Sequence, residues 1–480
     1  MKKNEQYEIT IEDISNEGAG IGHLQTDEGG LFAVFVKDAV PGDRCLVQLT
    51  KVKKSYAFAR LMNLITPGED RVQPLCKNAA RCGGCTMMQL SYPAQLALKE
   101  KKVKDCLTRI GGVPAEELDA IMEPIERMEI PFYFRNKMQF PVGTDKDGRV
   151  QIGFYAGRTH SIIDLERCPI GHPVNDCILR HIRPVLQAEY DKDPNLIYNE
   201  ESHTGLLRHI LTRVGYTSGE VMVCFVINGE PEEFRESLRQ KLADALQAAA
   251  SEVVAGGGLA VTITGVSLNI NKEKTNRILG DRTVTIFGAD VIRDTLLGVE
   301  FEISPVSFYQ VNPVQTEKLY KKVAEYAGLS GGETVWDLYC GIGTISLSLA
   351  RQAKKVFGVE IVPQAIEDAK KNARRNGIDN AEFYCGKAED VATDSHGTPD
   401  CVVVDPPRKG CDPKLIETIL KLSPPKVVYV SCDPATLARD IKLLAAGGYR
   451  LQKAQVFDQF CHSSHCETCC LLTKANDSAD

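Results

Sequence analysis

No run of this 480-residue chain is apolar for long enough to span a bilayer. Its opening, MKKNEQYEITIED, has no apolar core, which excludes a secretory signal and leads us to expect a cytoplasmic protein. Positive charge is not in excess either. The 57 Lys and Arg against 64 Asp and Glu leave a formal charge of −7, so no global positive field announces a nucleic-acid partner. Any such contact has to come from local patches. The candidates are Lys51, Lys53 and Lys54, then Arg208, His209 and Arg213, then Lys272, Lys274 and Arg277; each alone reads as a solvated face. Internal repeats and low-complexity tracts are also missing.

Cysteine is plentiful: there are 17. With no secretory signal and a chain too long to be a small disulfide scaffold, these are expected to be reduced thiols. They are then available for core packing, metal binding or catalysis. Cys224 in VMVCFVI and Cys401 in DCVVVD lie in strand-like runs and read as core.

The length implies two to four domains. Residues 7–64 alternate in short runs (YEITIEDIS, GLFAVFVKDAV, DRCLVQLTKV, YAFARLMNLI) around the turn-like GAGIGH, DEGG and PGD. That pattern predicts a small five-stranded barrel of the OB type. A cysteine-bearing loop follows at 74–86, and residues 92–110 predict an amphipathic helix. Residues 130–300 read as mainly strands. One helical stretch, EEFRESLRQKLADALQAAASE, interrupts them and is stopped by Gly256-Gly257-Gly258. The last third alternates strand-like and helix-like segments, which predicts a parallel sheet covered on both faces, with ligands at the strand ends.

Three acidic residues mark such ends. Asp337-Leu-Tyr-Cys-Gly341-Ile-Gly343-Thr344 joins a strand to a helix, and its glycines let the backbone turn close to a ligand. Glu360 ends the next strand, 17 positions after Gly343, where a carboxylate can bind a ribose diol. Ser346 takes the place of a third glycine, so a dinucleotide fingerprint is incomplete and the spacing resembles S-adenosylmethionine methyltransferases instead. Asp405-Pro406-Pro407 must leave the sheet, because two prolines cannot continue a central strand.

Cys432 follows the strand VVYVS. Asp433 and Pro434 are a good N-cap and first helical residue, so Cys432 sits just before a helix N-terminus, which favours thiolate and is expected to lower the thiol pKa. A thiolate beside a methyl donor suits methylation at carbon 5 of uracil. Adding the thiolate to carbon 6 makes carbon 5 nucleophilic, and a base must later remove the carbon 5 proton. His462, His465 and Glu467 are the candidate bases, and the residues alone do not choose among them.

Taken together, SPVSFYQVN (304–312), DLYCGIGT (337–344), GVE (358–360), DPPRKG (405–410), YVSCDPATLARD (429–440) and HCET (465–468) closely resemble RNA uracil-5-methyltransferases. RNKMQF (135–140) and LLRHILTR (206–213) extend the resemblance into the middle, and the N-terminal strands resemble a TRAM module. The resemblance implies an α/β fold: a Rossmann-like S-adenosylmethionine methyltransferase domain (298–480), a TRAM/OB-like barrel (1–65) and a β-rich central iron–sulfur domain (66–297). It implies Gln310, Tyr339, Glu360 and Asp405 as S-adenosylmethionine contacts, Cys432 as nucleophile and Glu467 as general base. It also implies a 4Fe–4S cluster on Cys76, Cys82, Cys85 and Cys168. From the residues alone, C-x5-C-x2-C plus a distant cysteine fits zinc as well, with His172 four residues after Cys168 as a further ligand. Cys466 and Cys469 form another C-x2-C, but in a strand they would point to opposite faces. The TRAM-plus-cysteine combination resembles the bacterial 23S ribosomal RNA branch, acting as a monomer away from membranes. Competing readings are the same chemistry on tRNA, methylation of an exocyclic amino group, which would leave Cys432 idle, and a non-catalytic RNA-binding protein.

Overall fold

The structure is a computed structural model that describes residues 1–26, 29–157, 159–255, 260–392 and 397–475. The expected glycine stop at 256–258 and the first half of the DEGG turn lie outside these residues. Five strands, β1 (Gln6–Ile14), β2 (Gly20–Gln25), β3 (Leu31–Lys37), β4 (Arg44–Val52) and β5 (Tyr56–Thr66), form a closed barrel in the order β1-β2-β3-β5-β4. Alternate residues point inward, Val34 and Val36 from β3 against Val47 and Leu49 from β4. Gly22 is required where β1 and β2 close: a Cβ there would stand 2.4 Å from the Thr10 carbonyl oxygen.

Next come α1 (Tyr92–Arg109), α2 (Ala115–Ile121) and β6 (Met122–Glu126). Then β7 (Lys137–Thr144), β8 (Val150–Tyr155), β9 (Ile162–Asp164), α3 (Val174–Tyr190), β10 (Leu207–Val214), β11 (Glu220–Ile227), α4 (Glu236–Ala255), β12 (Thr262–Ile270) and β13 (Arg282–Gly288) build a sheet in the order β13-β12-β11-β10-β7-β8-β9. Helix α3 was not expected. Its Ile178, Ile182 and Leu186 recur at helical spacing and are buried, but Pro184 lies inside the helix and masks the pattern. The expected basic patch at Arg208, His209 and Arg213 is overturned: β10 is buried along its whole length. Arg208 Nη1 donates to the carbonyls of Asn271 and Glu273, and Arg213 Nη2 to that of Ser307.

The remaining elements are β14 (Ile292–Leu296), β15 (Val299–Ile303), α5 (Pro313–Ala327), β16 (Thr334–Leu338), α6 (Thr344–Ala350), β17 (Lys355–Glu360), α7 (Pro363–Arg375), β18 (Ala381–Cys385), α8 (Ala388–Val391), β19 (Cys401–Val404), α9 (Pro413–Leu422), β20 (Lys426–Ser431), α10 (Pro434–Ala446), β21 (Tyr449–Phe457) and β22 (Glu467–Lys474). Polar-then-proline pairs open three of these helices: Asn312-Pro313, Asp412-Pro413 and Asp433-Pro434. The sheet order is β18-β17-β16-β19-β20-β22-β21-β6. Val335, Val403 and Val428 meet one core, while Trp336, Val402 and Tyr429 meet the other, so helices cover both faces. Residues 92–126, counted above with the central segment, belong to this layer: β6 pairs with β21, and Val103 and Leu107 of α1 pack with Leu437 and Ile441 of α10. Apolar surface sought its complement across the chain, which sequence order alone does not display. Among the described residues, no helix is long and apolar enough to cross a membrane.

Candidate active site

The parallel strands β17, β16, β19 and β20 all end at one edge, and β22, running antiparallel, begins there. That edge therefore carries, in spatial order, Glu360, Asp337, Asp405, Cys432 and Glu467. At about 4.8 Å per strand step, Glu360 and Cys432 stand roughly 14 Å apart. A nucleoside held at one end could thus present a group to the other.

Register brings the two chemical residues together. Ser431 of β20 pairs with Thr468 of β22, so the next positions on the same diagonal are Cys432 and Glu467. Asp433 caps α10 by accepting from the Ala435 and Thr436 amides, each at 3.0 Å, which fixes the turn that follows Cys432. The thiol is half-buried, and its pKa is pushed up to about 11 by burial, then by the Glu467 and Asp405 carboxylates; Arg408 opposes them. This corrects the expectation of a lowered pKa. One helix N-terminus is outweighed by burial and two nearby acids.

Those acids are themselves displaced. Glu467 is 3% exposed, its Oε2 is buried without a hydrogen-bond partner among the described residues, and burial and Asp405 push its pKa well up. Asp405 is raised to about 7 by burial and Asp337. Asp337 is also raised to about 7, chiefly by burial, although Ser346 Oγ donates to its Oδ2 at 2.5 Å. Its Oδ1 is buried without a partner. Arg408, three positions beyond Asp405, favours ionisation of both Cys432 and Glu467; it stood in the DPPRKG segment but was not singled out from the sequence.

The two histidines differ in their surroundings. His462 is buried, stacks on Phe132 at 4.6 Å between centroids and is near hydrogen-bond distance of Gln95. His465 keeps an exposed face, and partial desolvation of its ring, then Arg408, lowers its pKa. Glu467 is the candidate whose charge acts on Cys432.

At the other end, Gly341 has φ 55° with open space where a Cβ would stand, and Gly343 has φ 85°. Tyr339 between β16 and this turn has φ 79°, a strained value for a side-chain-bearing residue, held by the hydrogen bond its amide donates to the Val359 carbonyl. Glu360 accepts the Val362 amide at 3.0 Å and the Gly341 amide at 3.3 Å. Gln310 sits in the segment leading to α5. Its carbonyl accepts from Asn136 Nδ2 at 2.9 Å, which ties it to the central sheet.

Cys76, Cys82, Cys85 and Cys168 lie elsewhere, and three of them share a core with Cys461 of the β21–β22 connection. Cys76, Cys85 and Cys168 pack around one small core with Phe134, Ile170 and Cys461. Burial raises the Cys85 thiol, and Cys168, Cys82 and Cys76 add to the effect. Among the described residues, no group of three or more His, Cys, Asp or Glu side chains is gathered as around one metal ion. His172 lies apart from the thiols in its chemistry: burial alone lowers its pKa to about 4, and its Nδ1 accepts the Val174 amide at 3.3 Å. Cys466 and Cys469 face the two opposite cores, as the strand parity required.

Comparison with known proteins bears on the family. Residues 282–475 match the family model described as tRNA (Uracil-5-)-methyltransferase, and residues 2–62 match the TRAM domain. An RNA methyltransferase of Listeria innocua, named as uncharacterized, is 43% identical over 98% of both chains. The chain belongs to the RNA uracil-5-methyltransferase family. A further RNA methyltransferase, from Halalkalibacterium halodurans, is 42% identical over 99% of this chain and 98% of its own. Among solved structures, the Pyrococcus abyssi tRNA (uracil-54, C5)-methyltransferase in complex with S-adenosyl-L-homocysteine is 28% identical with a TM-score of 0.75, covering 97% of this chain and 99% of that one.

Proposed function

We propose that this enzyme methylates carbon 5 of a uridine in RNA, with 23S ribosomal RNA as substrate, through a covalent bond between Cys432 and carbon 6. The observation that carries the reading is the β20–β22 register, which sets Cys432 opposite Glu467 with Asp405 on the adjacent strand. S-adenosylmethionine supplies an electrophilic methyl group on a sulfonium. Glu360 would hold its ribose hydroxyls, with Gln310, Tyr339 and Asp405 as the other contacts. Cys432 gives up its proton to solvent, which reaches the half-buried thiol, and its sulfur bonds to carbon 6; the displaced π electrons make carbon 5 the attacking atom. Carbon 5 takes the methyl group while the methyl–sulfur bond breaks. Glu467 then removes the carbon 5 proton; the C–H electrons form the 5,6 double bond and the carbon 6–sulfur bond breaks, returning the thiolate to Cys432. A raised pKa suits Glu467, because once ionised it is a stronger base than an ordinary carboxylate.

Cys76, Cys82, Cys85 and Cys168 would hold a 4Fe–4S cluster. The reading rests on the family resemblance and on Cys76, Cys85 and Cys168 lining one small core, although among the described residues no three such side chains stand close enough to hold a metal. Arg135, half-buried, also lies within electrostatic reach of Cys168 and Cys85, where metal-bound thiolates would balance its charge. When bound, the cluster would cross-link the 76–85 loop to the 168 turn.

The test incubates the protein with methyl-labelled S-adenosylmethionine and deproteinised bulk RNA, then identifies the labelled nucleoside and its RNA. 5-Methyluridine in 23S RNA is expected. Label in tRNA alone would replace the proposed substrate, and a methylated amino group would overturn the chemistry.

A further inference from the structure

Helix α1 was expected to be amphipathic, yet two positions of its buried side are polar: Gln95 and Lys99 are each 1% exposed. They belong to a stripe, Tyr92, Gln95, Lys99 and Lys102, whose 3-4-3 spacing puts all four on one helical face. Each reaches the nine-residue connection 458–466 between β21 and β22. Tyr92 Oη donates to Asp458 Oδ2 at 2.7 Å. Lys99 Nζ donates to Asp458 Oδ1 and, at 3.0 Å, to the Phe460 carbonyl. Gln95 Oε1 accepts the His462 amide at 3.1 Å. Lys102 Nζ donates to the Ser464 carbonyl at 3.1 Å.

The connection ends at Glu467, which pairs with Phe457 across the mouth of the loop. Because Glu467 Oε2 is buried without a hydrogen-bond partner among the described residues, the aim of the carboxylate depends on its backbone and hence on this loop. A buried Lys–Asp pair adds little net stability over apolar residues of similar size, whereas it fixes geometry tightly. The same loop is also held from outside α1: the Met87 amide donates to the His462 carbonyl at 2.9 Å, and Gln459 Nε2 to Thr316 Oγ1 at 2.8 Å.

We propose that the polar stripe of α1, centred on the buried Lys99–Asp458 pair, is the positioning device that aims Glu467 for proton removal from carbon 5. This rests on the reading of Glu467 as the base. Lys99, Asp458, Gln95 and Lys102 act through the loop and touch neither substrate nor cofactor. Loosening the stripe should therefore slow elimination more than addition or methyl transfer, and the Cys432–RNA adduct should persist.

The main variant is Lys99→Met/Asp458→Asn, which removes both charges together and leaves an amide oxygen at position 458 to accept from Tyr92. Lys102→Met and Gln95→Met are milder companions, and Glu467→Gln is the control. Full-length proteins are compared for turnover, S-adenosylmethionine affinity, thermal unfolding and the fraction of RNA-linked protein on a denaturing gel. The double variant is expected to lose roughly tenfold to a hundredfold in turnover, in line with the sensitivity of catalysis to small misplacements. It should accumulate adduct and keep cofactor affinity within about twofold, while the companions show the same partition more weakly. A folded double variant with wild-type turnover and no adduct overturns the proposal, and so does a turnover loss with parallel loss of cofactor affinity and no adduct. If the double variant does not fold, the companions decide, and wild-type partition in both overturns it. The control separates the two readings. If Glu467→Gln accumulates no adduct, the base assignment itself has failed; if it does and the stripe variants do not, only the positioning role has.

Discussion

At the scale of single residues, the chemistry depends on charges that oppose one another. Cys432 is held as a thiol in the free enzyme by burial and by two carboxylates. Peptide-resolved alkylation across a pH series should place its titration near pH 11, and Glu467→Gln should move it downward, because the second-largest cause of the rise is removed. An unmoved titration would mean that the Glu467 charge does not reach the thiol. At the cofactor end, Glu360→Ala should weaken S-adenosylmethionine binding by roughly 1.5–3 kcal/mol, the worth of a charge-assisted hydrogen bond to the ribose. Calorimetry showing unchanged affinity would remove Glu360 from the site. The residues for both ends were legible as strand-terminal acids and a thiol at a helix start. The direction of the Cys432 shift was not, because it depends on Glu467, 35 positions away in sequence, arriving across the sheet.

Among elements, the informative ones are those joined by unlike partners. The loop with Cys76, Cys82 and Cys85 meets Cys168 through a small core that also includes Cys461 from the β21–β22 connection. Protein purified without oxygen is expected to be brown, with about four irons per chain for one cubane cluster. Cys168→Ser should lose the metal, read by elemental analysis; zinc without iron would favour a mononuclear site, and retained metal would exclude Cys168. The helix over 92–110 was legible from its period, but its attachment to the catalytic sheet was not. Its buried Gln95 and Lys99 are intelligible only beside Asp458 and His462. Helix α3 escaped because Pro184 argues locally against the helix that its apolar face stabilises.

For the whole molecule, net charge is negative, so RNA must be held by local surfaces. Of the three basic patches, Arg208, His209 and Arg213 are consumed inside the central sheet, while Lys51, Lys53 and Lys54 are exposed on the barrel. Replacing these three lysines by alanine should weaken RNA binding with little change in cofactor affinity. It should also flatten the dependence of log affinity on log salt by about 0.7 for each phosphate that is no longer neutralised. Binding measured at several salt concentrations checks this, and an unchanged slope would place the RNA elsewhere.

By itself the sequence determined the barrel, the alternating α/β unit and the glycine turn, and offered Cys432 as a candidate thiol, because each is written in a local period or a short motif. Tertiary structure alone decided that two acids raise the Cys432 thiol, that residues 92–126 join the catalytic layer, and that a seemingly basic stretch of β10 is interior. Those outcomes depend on which distant strands share a sheet, and strand order follows from burying complementary apolar faces along the whole chain.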